Sequence, residues 1–438
     1  MTILIAMSTR TSHAVIRFGL GLRLDEQPPG DADAWLEAQI AAPAPAPEGP
    51  SVAQALQVRL DQLAASRTPP AMAGPTPQAQ LLRSEAQAWA RRRLETAQPF
   101  RERLVDFWMN HFTVSRRAFN GSFTVGCLER EAIRPHVTGS FADMLVAVTT
   151  HPAMLAYLDN AGSIGPNSPF GARSGRGLNE NLAREVLELH SLSPAGGYTQ
   201  GDVEQLARLL TGFSVEFNRE PLGFVWRRAT HEPGDKTILG RRFGEGQAES
   251  ESALRFLATH PATYRHLALK LARHFIADSP PPRAVAALAR TLADTGGDLA
   301  ALTRRLIALP EAWEPTPGKF RTPQDHVIAA CRAIGLPADR PDPVLGGLGT
   351  LNQPLWSALQ PDGWADTAAH WATPEALMRR VDWSYTLAGR VNRTTLPGFT
   401  EAALGPLARA ETVAEMRRAG SVRDAATLLL ASPEFMHR

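Results

Sequence analysis

The chain has 438 residues, with 46 basic and 44 acidic side chains, a formal net charge of +2 and a hydrophobic fraction of 44%. This hydrophobic fraction excludes a disordered or collagen-like chain. The near-zero net charge does not indicate a nucleic-acid-binding protein with a large basic surface. The only lysines are Lys236, Lys270 and Lys319, a bias typical of a GC-rich bacterial genome, so each retained lysine indicates a position where arginine fits poorly.

Two regions of different composition are expected along the chain. An N-terminal segment (1–50) ends in an alanine- and proline-rich run at 41–50, which is typical of an extended linker or surface loop. A helical body (51–438) follows, with a candidate sub-boundary near 310–320. No stretch approaches the ~18 apolar residues of a membrane span, and the short apolar run at the N-terminus has no basic leader. The sequence as written therefore predicts no membrane span, no export signal and a cytoplasmic protein.

Helical periodicity dominates the body of the chain. The predicted helices are 51–66, 78–98, 100–112, 125–134, 140–150, 152–158, 179–192, 200–213, 250–259, 262–277, 282–294, 298–308, 322–334, 373–388, 409–418 and 421–431. One strand pair is predicted, joining 223–228 to 236–239 across a turn that contains Pro233 and Gly234. The predicted fold is mostly α, a large multi-helical body with one small β-hairpin near 223–240.

The densest polar cluster is the segment NENLAREVLELH at 179–190. Asn179 is predicted to cap this helix, and Leu182, Val186 and Leu189 form an apolar stripe at helical spacing. A second face gathers Asn181, Arg184, Glu185 and Glu188. Two carboxylates beside an amide and a guanidinium could bind a divalent metal through oxygen ligands, or act as a general acid and base. The alternative is a solvated or salt-bridged helix face.

Neighbouring segments supply further candidate residues. Asp159 and Asn160 precede a glycine-rich loop, 161–178, whose length is typical of a functional lid or a disordered segment. The hypothesis assigns catalytic roles to Glu185, Glu188, Arg184 and His111, substrate-binding roles to Asn160, Asn179, Asn181, Lys236 and His231, and a candidate metal site to Asp159 and Glu185. A structural role stays open for the histidines, because an isolated histidine is more often a hydrogen-bonding group of the fold.

Several familiar signatures are absent from the sequence. It has no P-loop, no dinucleotide-binding glycine motif, no HExxH zinc motif and no GxSxG nucleophile motif. Cys127 and Cys331 are too few for a disulfide framework or a four-cysteine zinc site. Both are expected to be buried small apolar residues.

A series of short motifs, in a fixed order, links the chain to a known family. They are FWMNHF at 107–112, HPAML at 151–155, YLDN at 157–160, NENLAREVLEL at 179–189, GYTQ at 197–200, LARLLTG at 206–212, DKTILG at 235–240, KLARHF at 270–275, KFRTP at 319–323, QPLW at 353–356, DGW at 362–364 and ASPEF at 431–435. The combination resembles the bacterial family called domain of unknown function 1800, over nearly the whole chain.

The resemblance implies little chemistry, since that family has no established activity. It implies a genomic neighbour, a second uncharacterised family that resembles sulfatase-like proteins and carries a twin-arginine export signal. A sulfatase-like partner and a periplasmic destination by co-export are therefore expectations from the resemblance. Met109 and His190 depart from the residues common in the family, which weakens any two-histidine metal site at 109–111 and argues against His190 as a ligand.

Two functional hypotheses follow. In the first, the protein is an enzyme, hydrolytic or metal-assisted, with Glu185 as base or ligand and Arg184 paired with an anionic substrate or a carboxylate. In the second, it is a non-catalytic, chaperone-like partner of the co-encoded sulfatase-like protein, and the polar cluster is a buried hydrogen-bonded network. Carbohydrate binding by tryptophan-containing loops is a third and weaker hypothesis.

Overall fold

The structure is a computed structural model that describes residues 7–43, 49–66, 74–117, 121–314 and 318–438. The middle of the linker predicted at 41–50 (residues 44–48) lies outside the described residues, and so does the middle of the sub-boundary predicted near 310–320 (residues 315–317). Within the described ranges, no helix is long and apolar enough to cross a membrane.

Helices make up most of the described chain, which confirms the predicted fold class. Before the strands, the α-helices are Thr9–His13, Ala32–Ala41, Val52–Ala65, Pro77–Glu95, Pro99–His111, Val125–Leu128, Phe141–Thr150, Pro152–Tyr157, Gly171–Ser174, Asn181–Glu185 and Gln200–Leu210. After them come Gln247–Ala258, Pro261–Phe275, Pro282–Thr295, Leu299–Ala308, Pro323–Ala333, Asp342–Thr350, Ala368–Trp371, Pro374–Ala388, Leu396–Ala403, Ala410–Arg418, Val422–Leu430 and Pro433–Met436. Three π-helical turns continue α-helices at Ala14–Phe18, Glu129–Ile133 and Val186–His190.

Local capping chemistry sets many of the helix starts. The Ser51 hydroxyl accepts from the Gln54 N–H at 3.2 Å while the Gln54 side chain accepts from the Ser51 N–H at 2.8 Å, a reciprocal capping box. Two helices begin with the same His-Pro-Ala sequence, in which the imidazole Nδ1 of His151 or His260 accepts from the N–H two residues later at 3.2 Å. Proline then occupies the first helical position, where its missing N–H removes no hydrogen bond.

The strands form two separate antiparallel pairs. Strand β1 (Phe213–Glu216) pairs with β2 (Gly223–Trp226), and β3 (Lys236–Ile238) pairs with β4 (Arg241–Phe243). The predicted strand segments are therefore present, but the predicted pairing of 223–228 with 236–239 is wrong. The segment Phe213–Glu216, whose first residue was assigned to the end of a helix, is the true partner of β2.

Two large hydrophobic clusters and a small third one, of Phe320, Trp371 and Met436, form the interior of the described chain. The larger cluster runs from Ala14 to Ala312 and contains the central helices, and the second combines Val15, Leu20 and Trp89 with residues 327–435. The N-terminal residues Val15 and Phe18 lie in different clusters, so the turn Ala14–Phe18 contacts both. Cys127 and Cys331 are both buried free thiols, and burial raises the pKa of each to about 12.

Buried arginines accompany these clusters. An ionic network between 92–106 and 129–134 joins three arginines and three acids, namely Arg92, Arg93, Arg134, Glu102, Glu129 and Asp106. Arg134 donates to Glu102 at 2.6 Å and to Glu129 at 2.8 Å. Because the opposite charges are equal in number, the network can be buried without a net charge, whereas removing one member would leave an uncompensated ion.

Candidate functional site

The helix 181–190 changes from α to π geometry in its middle. The α-helix Asn181–Glu185 continues as a π-helical turn, Val186–His190, and the Ser191 hydroxyl donates to the Val186 carbonyl at 2.6 Å. A π turn holds an extra residue and shifts the side chains that follow around the helix axis. His190 is therefore buried while Leu189 is only half-buried. The predicted apolar stripe is correct at Leu182 and Val186 and wrong at Leu189.

The polar face of this helix lies at the surface. Asn181 is exposed, and Arg184, Glu185 and Glu188 are half-buried. The Arg184 guanidinium donates to Glu180 and to Gln200, each at 2.9 Å. Arg184 is thus paired with Glu180, one turn earlier, and neither Glu185 nor Glu188 forms an ion pair with it.

The two carboxylates of the helix face two tyrosines. The Tyr198 hydroxyl donates to Glu188 at 3.4 Å. Burial and the neighbouring Glu188 raise the pKa of Glu185, with a further contribution from Asp362. Burial, Glu185 and Asp362 together raise the pKa of Tyr157 to about 12. Glu185, Tyr157 and Asp362 are therefore close enough for the charge of one to act on the others.

Lys270, from the helix Pro261–Phe275, adds a cation to this group. Burial lowers the pKa of its amine to about 8, against the opposing effects of Asp366 and Asp362. The Lys270 amine forms no hydrogen bond or ion pair with any described residue. The Lys319 amine, by contrast, donates to Asp278 at 2.7 Å. We call Tyr157, Glu185, Glu188, Lys270 and Asp362 the acid–lysine cluster. Asp362 is exposed, so the cluster opens to solvent.

His111 lies behind this cluster, in the core. It is 1% exposed, and its Nε2 lies 3.2 Å from the His190 carbonyl. His266 makes the equivalent contact with the Leu189 carbonyl at 3.1 Å. Burial and then Lys270 lower the pKa of both imidazoles, so each is neutral and donates an N–H to the last turn of the helix. His111 thus positions the helix that carries the carboxylates.

The loop that carries Asp362 is fixed by Asn110. The Asn110 amide donates to the Trp364 carbonyl at 2.9 Å, and its side-chain oxygen accepts from the Trp364 N–H at 2.8 Å. Gly363 has a φ of +86°, and a Cβ there would lie 2.5 Å from the Asn110 carbonyl oxygen. Only glycine fits this close approach, and the loop is held in place as a result.

The three asparagines predicted to bind substrate, Asn160, Asn179 and Asn181, do not lie together. Asn160 is 1% exposed and donates to the carbonyls of Leu210 at 3.2 Å and Phe213 at 3.1 Å. Asn179 accepts from the Asn181 N–H at 2.9 Å, but the N-cap position of this helix is occupied by Glu180, one residue later than predicted. Asn160 joins the end of a helix to strand β1, away from the surface on which Asn179 and Asn181 lie.

His231 and Lys236 lie together in the region between the two strand pairs. His231 Nδ1 donates to the Thr211 carbonyl at 2.7 Å, and its Nε2 accepts from the Gly246 N–H at 2.9 Å. The Lys236 amine is buried and donates to the carbonyls of Glu232 and Gly234. Their polar atoms are therefore engaged by backbone groups.

The glycine-rich loop 161–178 packs against this same region. Buried Glu232 accepts from the Asn167 N–H at 2.9 Å and from its side-chain amide at 2.6 Å, and also pairs with Arg208 at 2.9 Å. The Gly165 N–H donates to the Thr230 carbonyl at 2.9 Å. The loop is thus bound to the strand region, and Asp159 at its start is exposed at the edge of a cavity.

No group of three or more His, Cys, Asp or Glu side chains within the described ranges is arranged to hold a metal ion. The sequence singled out Glu185, Glu188 and Lys270 but did not indicate that Glu185 and Lys270 both lie near Asp362. Asp362 and Tyr157 appeared in motifs without a role. Their proximity depends on the packing of distant segments, so only the ordered series of motifs could have indicated it.

The fold and the cluster together define a mostly helical protein with an acid–lysine group on its surface. The chain belongs to the family described as protein of unknown function (DUF1800), whose profile matches residues 13–437. No curated protein and no solved structure matches the chain.

Proposed function

We propose that this chain is an enzyme that works by general acid–base catalysis, with Glu185 as the base and Lys270 as the acid. The observation that carries the proposal is the Lys270 amine, which has a pKa of about 8 and no hydrogen bond or ion pair within the described residues. The exposed Asp362 lies close enough to act on both Lys270 and the half-buried Glu185. Groups with perturbed pKa values cluster at functional sites. An unpaired lysine beside the core is unfavourable for folding, which favours a functional reason for its position.

The protonation states suit proton transfer near neutral pH. A lysine with a pKa of about 8 is mostly protonated at pH 7 yet releases its proton far more readily than an ordinary lysine. Glu185, whose pKa is raised by burial and by Glu188, is a stronger base than an exposed glutamate. In a hydrolytic reaction, Glu185 would take a proton from the attacking water and Lys270 would give one to the leaving group.

The other predicted residues would support this pair in different ways. His111 and His266 donate to the carbonyls at the end of the helix and so hold Glu185 and Glu188 in position. Asn110 fixes the loop of Asp362. The polar face is at the surface and Arg184 is paired with Glu180, an arrangement that supports the enzyme hypothesis over a sealed structural network.

A substrate-independent test is the titration of Lys270 by NMR. Because the chain has three lysines, selective ¹³C labelling of lysine gives three side-chain signals, which the variants Lys236→Arg and Lys319→Arg assign. We expect one lysine to titrate near pH 8, and Asp362→Asn to lower its pKa further, since the Asp362 carboxylate favours the protonated amine. A Lys270 pKa above 10 would contradict the proposal.

The catalytic test uses chromogenic 4-nitrophenyl esters, phosphates and glycosides. With any substrate that is turned over, Glu185→Gln and Lys270→Met should each lower kcat by about 100-fold or more. Glu180→Gln is the matched control, because Glu180 lies on the same helix start and pairs with Arg184 outside the cluster. Full activity in both cluster variants would refute the assignment of these two residues.

A further inference from the structure

A second site lies beside the start of the glycine-rich loop. A cavity of about 530 Å³ opens between the helix Val52–Ala65, the helix Pro152–Tyr157 and the residue Phe217 that follows strand β1. Its volume falls in the range of small-molecule binding sites, about 300–1,000 Å³. The polar side chains around it are those of Arg59, Arg176, Asp159 and Asn179.

The charges around the cavity favour an anion. Arg59 donates from one amino group, Nη1, to the Phe217 carbonyl at 3.0 Å and to the Asn218 side chain at 3.4 Å, which holds its guanidinium in place. A guanidinium has five N–H donors, so donors of Arg59 remain for a ligand. In the described part of the chain, the side chain of Arg176 makes no hydrogen bond or ion pair. The charged side chains around the cavity are those of Arg59, Arg176 and Asp159, so their net charge is +1.

The remaining wall of the cavity is apolar. The ring of Phe123 is 2% exposed and that of Phe217 is half-buried, and Ala156 and Ala161 lie beside them. The Arg59 guanidinium lies over the Phe217 ring, 5.5 Å from its centre, so the cation and the apolar surface are adjacent. A ligand that fills the cavity therefore meets aromatic surface and guanidinium groups together.

We infer that this cavity binds a small organic monoanion, in which a carboxylate or a singly charged phosphate is attached to an apolar or aromatic group. Arg59 and Arg176 would hold the anionic group through charge-assisted hydrogen bonds, and Phe123 and Phe217 would pack against the apolar part. Asp159 limits the charge of the ligand, because a second negative group would lie near its carboxylate. The inference does not depend on the acid–base function proposed for the acid–lysine cluster.

Isothermal titration calorimetry with 3-phenylpropionate tests the inference on the full chain. Its neutral counterpart, 3-phenylpropan-1-ol, has the same ring and chain length without the charge. We expect the anion to bind with a Kd below about 1 mM and the alcohol to bind at least about tenfold more weakly. Rising salt concentration should weaken the binding of the anion only, because exposed charges are screened.

Two arginine variants separate the cavity from general surface charge. Arg176→Gln should weaken binding of 3-phenylpropionate by about tenfold. Arg173→Gln is the matched control, since Arg173 is an exposed arginine in the same loop that donates to the Pro169 carbonyl and does not line the cavity. Glu185→Gln should leave the affinity unchanged. No binding of the anion at 10-fold excess over the expected Kd, equal affinity for the alcohol, or equal loss in both arginine variants would overturn the inference.

Discussion

Replacing Lys270 by methionine should stabilise the protein. Burial lowers the pKa of the lysine from 10.5 to about 8, and each pKa unit corresponds to about 1.4 kcal/mol. The protonated amine therefore costs roughly 3 kcal/mol in the folded state as an upper bound. Because Lys270 is only half-buried as a residue, we expect a measured gain of ~1–3 kcal/mol for Lys270→Met at pH 7.

The pH dependence of this effect has a definite sign. Below pH 8 the lysine is protonated in both the folded and the unfolded protein, so the folded state bears the full free-energy cost of the buried ammonium group. Between pH 8 and 10.5 the folded protein loses its proton first, so the cost shrinks as the pH rises. The stability advantage of Lys270→Met over the wild type should therefore be largest at pH 7, clearly smaller near pH 10 and close to zero only above pH 10.5.

Urea unfolding followed by tryptophan fluorescence measures the difference at each pH. Lys319→Met is the control, because the buried Lys319 amine pairs with Asp278 at 2.7 Å and with Asp366 at 3.2 Å. Its removal should lower the free energy of unfolding by ~1–3 kcal/mol, since Asp278 and Asp366 each lose a charged hydrogen-bond partner. A Lys270→Met variant that is less stable than the wild type at pH 7 would refute the reasoning.

Three further predictions concern stability. The free energy of unfolding should fall steeply below about pH 4, as followed by circular dichroism. Burial alone would raise the pKa values of Glu102, Glu129, Asp325 and Asp366, but neighbouring cations outweigh it and lower them. Protonation of these four carboxylates at low pH therefore favours the unfolded chain. Stability that is flat to pH 2 would contradict this. Gly363→Ala should lower the free energy of unfolding by ~1–3 kcal/mol, because its Cβ would meet the Asn110 carbonyl, and calorimetry checks it. Glu185→Gln should change stability by less than ~1 kcal/mol, since this side chain has no hydrogen bond in the described chain, and a larger loss in urea unfolding would indicate a structural role.

Most of the helices could be predicted because their start signals are local. The capping box at Ser51 and the prolines at positions 99, 152 and 261 fix helix starts through contacts within a few residues. Strand pairing could not be predicted in the same way. Strand β1 follows a helix after a short turn and has the same apolar character as a helix end, so only its contact with β2 reveals it as a strand.

The candidate site was predictable in its residue types and not in its arrangement. The polar face with Glu185 and Glu188 follows from helical spacing. Asp362, whose charge acts on both Glu185 and Lys270, comes from a segment more than 170 residues further along the chain. His111 illustrates the limit most clearly. Its sequence context, an aromatic helix end, is compatible with both a catalytic base and a buried donor, and only the contact with the His190 carbonyl distinguishes them.

The π turn at Val186–His190 makes the site sensitive to chain length as well as to side-chain identity. A π turn arises when one residue is inserted into an α-helix, and each residue of an α-helix turns its neighbours by roughly 100°. Deleting one residue from this turn would restore a regular helix and keep every polar side chain before it. The carbonyls of Leu189 and His190 would then point away from His266 and His111, which contact them now. A one-residue difference in length at this turn is therefore a change of site geometry that a comparison of residue identities alone would miss.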